Sequence, residues 1–264
     1  MSIKARGFLD YCPEIEQRIL RENLILIFDF DGTLARIRKK ANLPRISKKR
    51  IGILRRLSRL KDVNVIVLSG RPISFLRKHV PLKKIRLIPE RGIYFSRVFS
   101  RKKFALKKEL LKLSTLLFPI TKKFNGAYIE LKPTSLVFHF RNVRKARRGM
   151  VEKEVIKTAK PFFGVKKDLK LVFGRMILEF LPQRFPDKGD ALREIMKIHQ
   201  GLFIYVGDDE TDEPAFKQVS KKGFGVLVSS TEKSSKTAAK YYLNGMSDVN
   251  EALKLIYKLK SRGK

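Results

Sequence analysis

Apolar and polar positions follow two different patterns along this chain. Short runs rich in Ile, Leu and Val, closed by a Gly-containing turn, are typical of buried parallel strands. Longer stretches with apolar residues three or four positions apart are typical of helices with one buried face. Near the start, these patterns predict strands at Leu24–Phe30 and Val63–Leu68, a helix over Ser47–Leu60, and another helix with Pro72 in its first turn.

The middle of the chain, from about Ile93 to Pro182, has a different pattern. Alternating apolar and polar residues predict strands, and two helical stretches separate them, which favours a small α+β unit. The predicted strands are Tyr128–Leu131, Leu136–Phe140, Leu171–Phe173 and Met176–Phe180, and the predicted helices lie near Lys107–Ile120 and Arg144–Lys160.

After Lys188 the first pattern returns. It predicts helices near Gly189–His199 and Pro214–Val219, strands at Leu202–Val206 and Phe224–Val228, and a final helix over Asp248–Leu259. Strands that alternate with helices predict a parallel sheet covered on both faces. The simplest architecture is one α/β core, residues 1–97 and 183–264, interrupted by an inserted α+β domain over residues 98–182.

Composition changes this picture through charge. The 264 residues include 60 Lys and Arg but 25 Asp and Glu, which gives a formal net charge of +35. Such a field attracts anions, whether nucleic acid, an anionic membrane surface or a phosphorylated metabolite. The basic residues are spread along the chain, which favours an ordinary solvated surface. No zinc-finger, stacking-aromatic or basic-zipper pattern indicates specific nucleic-acid binding.

Compartment and assembly are predicted from weaker features. Cys12 is the single cysteine, so an internal disulfide is excluded and a reducing compartment is favoured. The sequence contains no signal-peptide pattern and no apolar run of bilayer length. We therefore expect a cytoplasmic protein without a membrane span, and we expect it to be a monomer.

Two aspartates stand at the end of the first predicted strand, where open α/β sheets place their ligand sites. Asp29 and Asp31 are two residues apart, so a strand can point both carboxylates the same way before Gly32 turns the chain. A hard cation would relieve their repulsion, and all-oxygen ligands favour magnesium over zinc. One Asp could then attack phosphorus while the other transfers a proton. A polar strand end with an ordinary Asp-Gly turn is the alternative.

A second acidic cluster, Gly207–Glu213, follows the predicted strand Leu202–Val206, in a chain that is otherwise basic. A divalent cation would neutralise carboxylates packed at a strand end. A helix N-terminus is the alternative, because acidic residues are favoured in a first helical turn and Thr211 could be an N-cap. That alternative accounts for the later acids but not for Asp208 and Asp209, so we favour metal binding.

Two further segments supply hydrogen-bond donors and positive charge. Ser69, Gly70 and Arg71 follow the second strand and open a helix, a natural place for a phosphate, although a serine there is more often only a cap. Lys188 also precedes a helix and could neutralise a phosphoryl group and the developing charge on Asp29.

Taken in order, these motifs resemble the haloacid dehalogenase (HAD) superfamily: Asp29-x-Asp31-Gly-Thr, Ser69, Lys188 and Gly207-Asp208-Asp209-x-x-Asp212. The resemblance implies a HAD-like Rossmannoid core with a parallel sheet and an inserted C2-type α+β cap. It implies that Asp29 forms an aspartyl-phosphate and that Asp31 is the general acid and base. Ser69, Gly70, Arg71 and Lys188 would hold the phosphoryl group. Asp208 would bind Mg²⁺ with Asp29 and the Asp31 carbonyl, and Asp209 or Asp212 would complete or support the metal site.

The finer resemblance is to trehalose-6-phosphate phosphatases. Strings similar to that family's motifs are Gly207–Glu213 with Ala215-Phe216, Lys188-Gly189-x-Ala191-Leu192, Ser69-Gly70-Arg71, Glu90-x-Gly92 and His139-Phe140-Arg141. The resemblance implies hydrolysis of trehalose 6-phosphate to trehalose and phosphate, and a cap that closes over the sugar. It also implies Glu90, Arg141 and Glu179 as substrate-binding residues.

Two positions depart from the family pattern. Arg91 stands where the family usually has His, and Leu181 stands where it usually has Arg after the cap glutamate. Both lie in regions that the resemblance assigns to the sugar, so the exact substrate stays open. A phosphatase for another sugar or glycoside phosphate is therefore one rival interpretation. A rival from another class is a basic nucleic-acid-binding protein on a HAD scaffold, for which Asp31 and Lys188 would have no use.

Overall fold

The computed structural model describes the chain at residues 6–10, 13–36, 45–95, 97–164, 169–174, 176–183, 186–229 and 237–262; Cys12 lies outside these ranges. The strands in the described ranges are β1 (Arg6–Gly7), β2 (Leu24–Phe28), β3 (Val63–Leu68), β4 (Arg86–Ile88), β5 (Tyr128–Leu131), β6 (Leu136–His139), β7 (Leu169–Gly174), β8 (Ile177–Pro182), β9 (Leu202–Gly207), β10 (Gly223–Ser229) and β11 (Tyr241–Asn244). The helices are α1 (Pro13–Arg21), α2 (Lys48–Leu57), α3 (Ile73–His79), α4 (Arg97–Lys123), α5 (Arg148–Ala159), α6 (Lys188–Ile198), α7 (Glu213–Val219) and α8 (Met246–Arg262).

The chain forms two compact units, residues 1–95 with 186–264 and residues 96–185. The first unit contains a parallel sheet of seven strands in the order β1-β11-β10-β9-β2-β3-β4. The second contains an antiparallel sheet of four strands in the order β5-β6-β8-β7. The predicted fold class, a parallel α/β sheet with a separate α+β unit, is confirmed.

The central strand β2 shows how the sequence pattern builds the first unit. All five of its residues are buried, as expected for a parallel strand covered on both faces. Leu24, Leu26 and Phe28 pack with buried residues of α1, α2 and α8, on what we call the first face of the sheet. Ile25 and Ile27 pack with buried residues of α6 and α7 on the second face. Continuing this alternation directs the next residue, Asp29, toward the second face.

The described N-terminal segment, residues 6–10 and 13–21, packs on the first face, although the sequence pattern did not predict its structure. Strand β1 pairs in parallel with β11, and Phe8 contacts Phe224 and Tyr241 edge-on or tilted. In α1, Ile15 and Ile19 are buried in the same cluster. This segment therefore belongs to the first unit.

The second unit buries one face of its sheet. Leu136, Phe138, Leu178 and Phe180 of β6 and β8 are inaccessible to solvent. The helices of this unit, α4 and α5, contact each other, and α4 contacts β5. Within the described ranges, no helix combines the length and the apolar content needed to cross a bilayer.

Candidate active site at the ends of the central strands

Strands β2 and β9 bring the two acidic motifs side by side. They are parallel neighbours with Phe28 opposite Val206, and the Asp29 N–H donates to the Val206 carbonyl at 2.9 Å. The Asp29 motif and the Asp208 motif therefore lie at the same edge of the sheet, as predicted. Gly32 allows the two loops to meet, because its φ is +81° and a Cβ there would lie 1.8 Å from Oδ2 of Asp208.

Lys188 connects the two motifs. Its Nζ lies 3.0 Å from Oδ2 of Asp29 and 2.7 Å from Oδ1 of Asp212, and only 2% of the residue is exposed. The side chain enters from the first turn of α6, on the second face of the sheet, where the alternation of β2 directs Asp29. Asp187 caps that helix by accepting from the Asp190 N–H.

Asp212 is fully buried and accepts four hydrogen bonds. Oδ1 accepts from Lys188 and from the Tyr205 hydroxyl, at 2.7 and 2.6 Å. Oδ2 accepts from the backbone N–H groups of Asp208 and Asp209, at 2.9 and 3.2 Å. A carboxylate offers about four lone-pair positions, so these donors use its capacity. Asp212 thus fixes both Lys188 and the start of the acidic loop.

Tyr205 was not anticipated as a site residue, because it reads as an ordinary apolar strand position. It is completely buried on the second face, and its ring packs edge-on against Phe216 at 5.6 Å. Burial, and then the nearby charge of Asp212, raise the pKa of Tyr205 well above its usual value. The phenol is therefore protonated and donates to Asp212.

Asp208 lies close enough to Asp29 and Asp212 to share a cation with them. One carboxylate oxygen of each residue falls within 4.8 Å of the others. Thr33, which is fully buried, donates from Oγ1 to Oδ1 of Asp208 at 3.2 Å. Asp29 and Asp208 offer carboxylate oxygens that suit a hard divalent cation, while Asp212, whose lone pairs are occupied, adds negative charge beside them.

The protein alone does not neutralise this group of acids. Burial, and secondarily the charges of Asp209 and Asp212, raise the pKa of Asp208 to about 7. Burial also raises the pKa of Asp29 to about 8, against the opposing effect of Lys188. Ionising Asp29 and Asp208 at this site therefore costs free energy, and a bound cation would offset that cost.

Asp209 has a different role in the structure from its neighbour. Its Oδ1 accepts from the N–H and the hydroxyl of Thr211, at 2.9 and 2.7 Å, and it forms a capping box with Asp212. The residue that caps the turn after β9 is therefore Asp209, and the alternative that placed Thr211 as N-cap is wrong. Neither Asp209 nor Asp31 belongs to the group of close carboxylates formed by Asp29, Asp208 and Asp212.

Arg71 binds Asp31 with two hydrogen bonds. Its Nε donates to Oδ2 at 2.6 Å and its second guanidinium nitrogen donates to Oδ1 at 2.8 Å. The guanidinium also lies over the ring of Phe75, 4.6 Å from the centroid. Ser69, which is 1% exposed, accepts the Arg71 N–H on its hydroxyl at 3.2 Å. The hydrogen bond to Asp31 and the negative charge of Asp31 raise the pKa of Arg71 above its usual value. Arg71 therefore stays positively charged.

The segment after β4 lies beside Ser69. The Glu90 N–H donates to the Arg71 carbonyl at 3.1 Å, and the Arg91 N–H donates to the Ser69 carbonyl at 2.8 Å. Both residues have left-handed backbone, with φ of 50° and 57°. Glu90 is thus placed next to the predicted phosphate-binding segment.

The remaining predicted residues belong to the second unit. Glu179, on β8, accepts from the Ser135 hydroxyl at 2.9 Å and lies 3.6 Å from Nζ of Lys132. Arg141 follows β6, and its carbonyl accepts from Arg148 at 2.7 Å. These contacts orient Glu179 on the sheet, while the sugar-binding role of both residues stays a prediction.

Comparisons with known proteins agree with this fold. The sequence pattern of a family described as trehalose-phosphatase matches residues 27–247. Trehalose-phosphate phosphatase B of Arabidopsis thaliana is 28% identical over 275 residues, which cover 96% of this chain and 71% of the relative. A trehalose-6-phosphate phosphatase of Aspergillus fumigatus superposes with a TM-score of 0.67 at 20% identity, over 96% of this chain and 99% of that one. A haloacid dehalogenase-like hydrolase of Bacteroides thetaiotaomicron superposes at 0.56 and 16% identity, over 88% and 98%.

Proposed function

Because the chain belongs to the trehalose-phosphatase family, we propose that it hydrolyses trehalose 6-phosphate to trehalose and inorganic phosphate. The observation that carries the proposal is the contact of Lys188 with both Asp29 and Asp212, next to Asp208. Burying these charges costs free energy that a purely structural protein could avoid with apolar side chains. An enzyme that must stabilise a phosphoryl group has a use for them.

Asp29 is the proposed nucleophile. A carboxylate oxygen attacks phosphorus, the bond from phosphorus to the sugar oxygen breaks, and an aspartyl-phosphate forms. Asp31 gives a proton to the departing sugar oxygen, and it later takes a proton from the water that attacks the aspartyl-phosphate. Lys188, already 3.0 Å from Asp29, stabilises the charge on the phosphoryl oxygens.

Arg71 acts as a positioning residue for Asp31 in this scheme. Its two hydrogen bonds, 2.6 and 2.8 Å long, occupy one lone pair on each carboxylate oxygen of Asp31. A second lone pair remains on each oxygen, so Asp31 can exchange a proton while it stays bound to Arg71.

The carboxylate group fits a divalent cation, and we propose Mg²⁺. Asp29 and Asp208 would hold it, whereas Asp212 already accepts four hydrogen bonds and supports the site from behind. The cation would neutralise charge on the acids and on the phosphoryl oxygens. The observation that supports the place of Asp208 in the metal site is that one of its carboxylate oxygens lies within 4.8 Å of one of Asp29.

Recognition of the sugar is assigned to Glu90, Arg141 and Glu179. Single alanine variants test each one separately. Loss of a contact to a sugar hydroxyl should raise KM for trehalose 6-phosphate more than KM for a small artificial phosphate ester. Equal changes for both substrates would remove the residue from the sugar site.

The direct test is phosphate release from a panel of sugar phosphates, with Mg²⁺ and with EDTA. Turnover that requires the metal and favours trehalose 6-phosphate supports both the chemistry and the substrate. Turnover that favours a different sugar phosphate would retain the chemistry and overturn the substrate. No turnover on any ester, with folded protein and saturating Mg²⁺, would overturn the enzyme itself.

Asp29→Asn tests the nucleophile. The variant keeps the shape of the side chain and should lose turnover, since an amide does not form the aspartyl-phosphate. Asp248→Asn is the matched control, because Asp248 is half-buried near the start of α8, where it accepts from the Asn244 N–H and is no part of the candidate site. Wild-type turnover by Asp29→Asn would assign the nucleophile elsewhere.

The rival nucleic-acid interpretation is tested by measuring the binding of random duplex DNA. Random duplex DNA should bind weakly, and tight binding with a steep fall of affinity with salt would favour the nucleic-acid interpretation instead.

We further propose that the protein is a monomer and that it works in the cytoplasm. Light scattering after gel filtration and cell fractionation test these two expectations.

A further inference from the structure

The turn after β4 has an unusual backbone. Three successive residues are left-handed: Glu90 with φ 50°, Arg91 with φ 57° and Gly92 with φ 74°. Glycine adopts this conformation freely, but a residue with a Cβ is strained in it. Strain of this kind persists only where surrounding contacts hold it, and it is concentrated at functional sites.

The contacts that hold the turn come from both sides of the site. On one side, the Arg91 N–H donates to the Ser69 carbonyl at 2.8 Å, and the Glu90 N–H donates to the Arg71 carbonyl at 3.1 Å. On the other side, a Cβ on Gly92 would lie 2.4 Å from Cβ of Ala191, in the helix that begins with Lys188. The turn is therefore clamped between the predicted phosphate-binding segment and the helix that carries the catalytic lysine.

The strained conformation places the Arg91 side chain over Gly70. Its Nε lies 3.8 Å from the position that a Cβ of Gly70 would occupy. The sheet register puts this segment near the nucleophile, because Phe28 of β2 lies opposite Val67 of β3. Asp29 follows Phe28 directly, and Ser69 lies two residues after Val67. The side chain of Arg91, which is half-buried, thus lies beside Gly70, at the same edge of the sheet as Asp29.

The other arginine of this segment, Arg71, holds Asp31. It donates two hydrogen bonds to that carboxylate, and its guanidinium lies over the ring of Phe75. Guanidinium groups bind phosphate oxygens strongly because their donors are planar, paired and always charged. We propose that Arg91 binds the phosphoryl group of the substrate, in the role that the sequence predicted for Arg71. This inference rests on the proposed phosphatase function.

The test compares Arg91→Gly with the wild type by calorimetric titration of inorganic phosphate in the presence of Mg²⁺. Loss of charge-assisted hydrogen bonds should weaken phosphate binding about 10- to 100-fold. KM for trehalose 6-phosphate should rise by a similar factor and kcat should change less, because the contact exists before and during the reaction. Relief of the left-handed strain should raise Tm by about 2–4 °C.

Met176→Gly is the matched control. Met176 is also left-handed, with φ 63°, but it lies in the second unit between β7 and β8. Its variant should leave phosphate affinity unchanged. Arg91→Lys keeps the charge without the paired donors and should lie between wild type and Arg91→Gly. If Arg91 binds the phosphoryl group, Arg91→Gly loses phosphate affinity while its Tm rises. Removal of a side chain with a purely structural role would not produce that combination.

Three outcomes would overturn the inference: unchanged phosphate affinity in Arg91→Gly, a loss of stability without a loss of affinity, or no phosphate binding by the wild type. The phosphate titration is independent of the sugar. If the wild type fails to hydrolyse trehalose 6-phosphate but still binds phosphate through Arg91, the proposed function fails and the assignment of Arg91 stands. If hydrolysis proceeds with an unchanged KM in Arg91→Gly, the assignment fails alone.

Discussion

Tyr205 offers the clearest link between a buried hydrogen bond and the proposed chemistry. Tyr205→Phe removes one hydroxyl and retains the ring that packs on Phe216. The lost contact is a 2.6 Å hydrogen bond to Oδ1 of Asp212, the same oxygen that holds Lys188 at 2.7 Å. A hydrogen bond to a charged group contributes about 1.5–3 kcal/mol, and the buried site gives water no access to replace it. We therefore expect the free energy of unfolding to fall by about that amount.

The catalytic effect should be smaller than the effect on stability. Asp212 keeps three of its four hydrogen-bond donors in the variant. Lys188 therefore keeps its contact with Asp212 but is held less rigidly. We expect kcat to fall about 3- to 30-fold, which corresponds to about 0.7–2 kcal/mol of transition-state stabilisation. KM should change little, because Tyr205 does not touch the substrate in the proposed mechanism.

Urea unfolding and steady-state kinetics at saturating Mg²⁺ measure the two quantities. Tyr241→Phe is the control, since Tyr241 is also buried but lies on the first face with Phe8 and Phe224. Its kcat should equal that of the wild type. If Tyr205→Phe retains wild-type stability and kcat, the chain of contacts from Tyr205 through Asp212 to Lys188 does not support catalysis.

Three further predictions test other parts of the site. Lys188→Met leaves two buried carboxylates without the cation that contacts them. It should lower the free energy of unfolding by about 3–5 kcal/mol and kcat by about 100- to 1000-fold. Lys197→Met, on the exposed side of the same helix, should change neither quantity. The pKa of Asp208 is raised from 3.8 to about 7, so the folded protein binds more protons than the unfolded chain between those values. Tm in EDTA should therefore fall as pH rises from about 4 to about 7, and Mg²⁺ should reduce the fall; equal falls with and without the metal would contradict this. Gly32→Ala should weaken Mg²⁺ binding and stability, because its Cβ would meet Asp208 at 1.8 Å, while Gly52→Ala in α2, with open space around its Cβ, should be neutral or stabilising.

The main elements of the fold could be predicted because local patterns determine them. The run Leu24–Phe30 predicts β2 and also the side of the sheet to which Asp29 points, since strand residues alternate between faces. Ser47 and Asp187 cap α2 and α6, within two residues of the predicted starts of those helices. The short strands β1, β4 and β11 were missed, because two to four residues carry too little periodicity and are held by their neighbours in the sheet.

The candidate site was predictable as a set of motifs but not as a set of contacts. Asp212 looked like an acid in a first helical turn, yet it is buried and accepts four hydrogen bonds. Tyr205 gave no sequence indication of a role, and Thr33 appeared only as the last residue of the Asp29 motif, because each finds its partner only after the strands assemble. Arg71 could not be assigned to Asp31 rather than to a phosphate, since the two choices differ only in the direction of a long side chain.

The position of β2 in the sheet has a consequence for how the protein is made. On one side β2 pairs with β3, which follows it closely, but on the other it pairs with β9, which lies beyond the whole inserted unit. During synthesis, residues 96–185 emerge as one contiguous segment and can complete their own sheet before β9 exists. Until then the apolar strand Leu24–Phe28 has an unpaired edge, which is a template for aggregation. We therefore expect nascent chains to acquire a protease-resistant second unit first, and chains that stop before residue 202 to require chaperones.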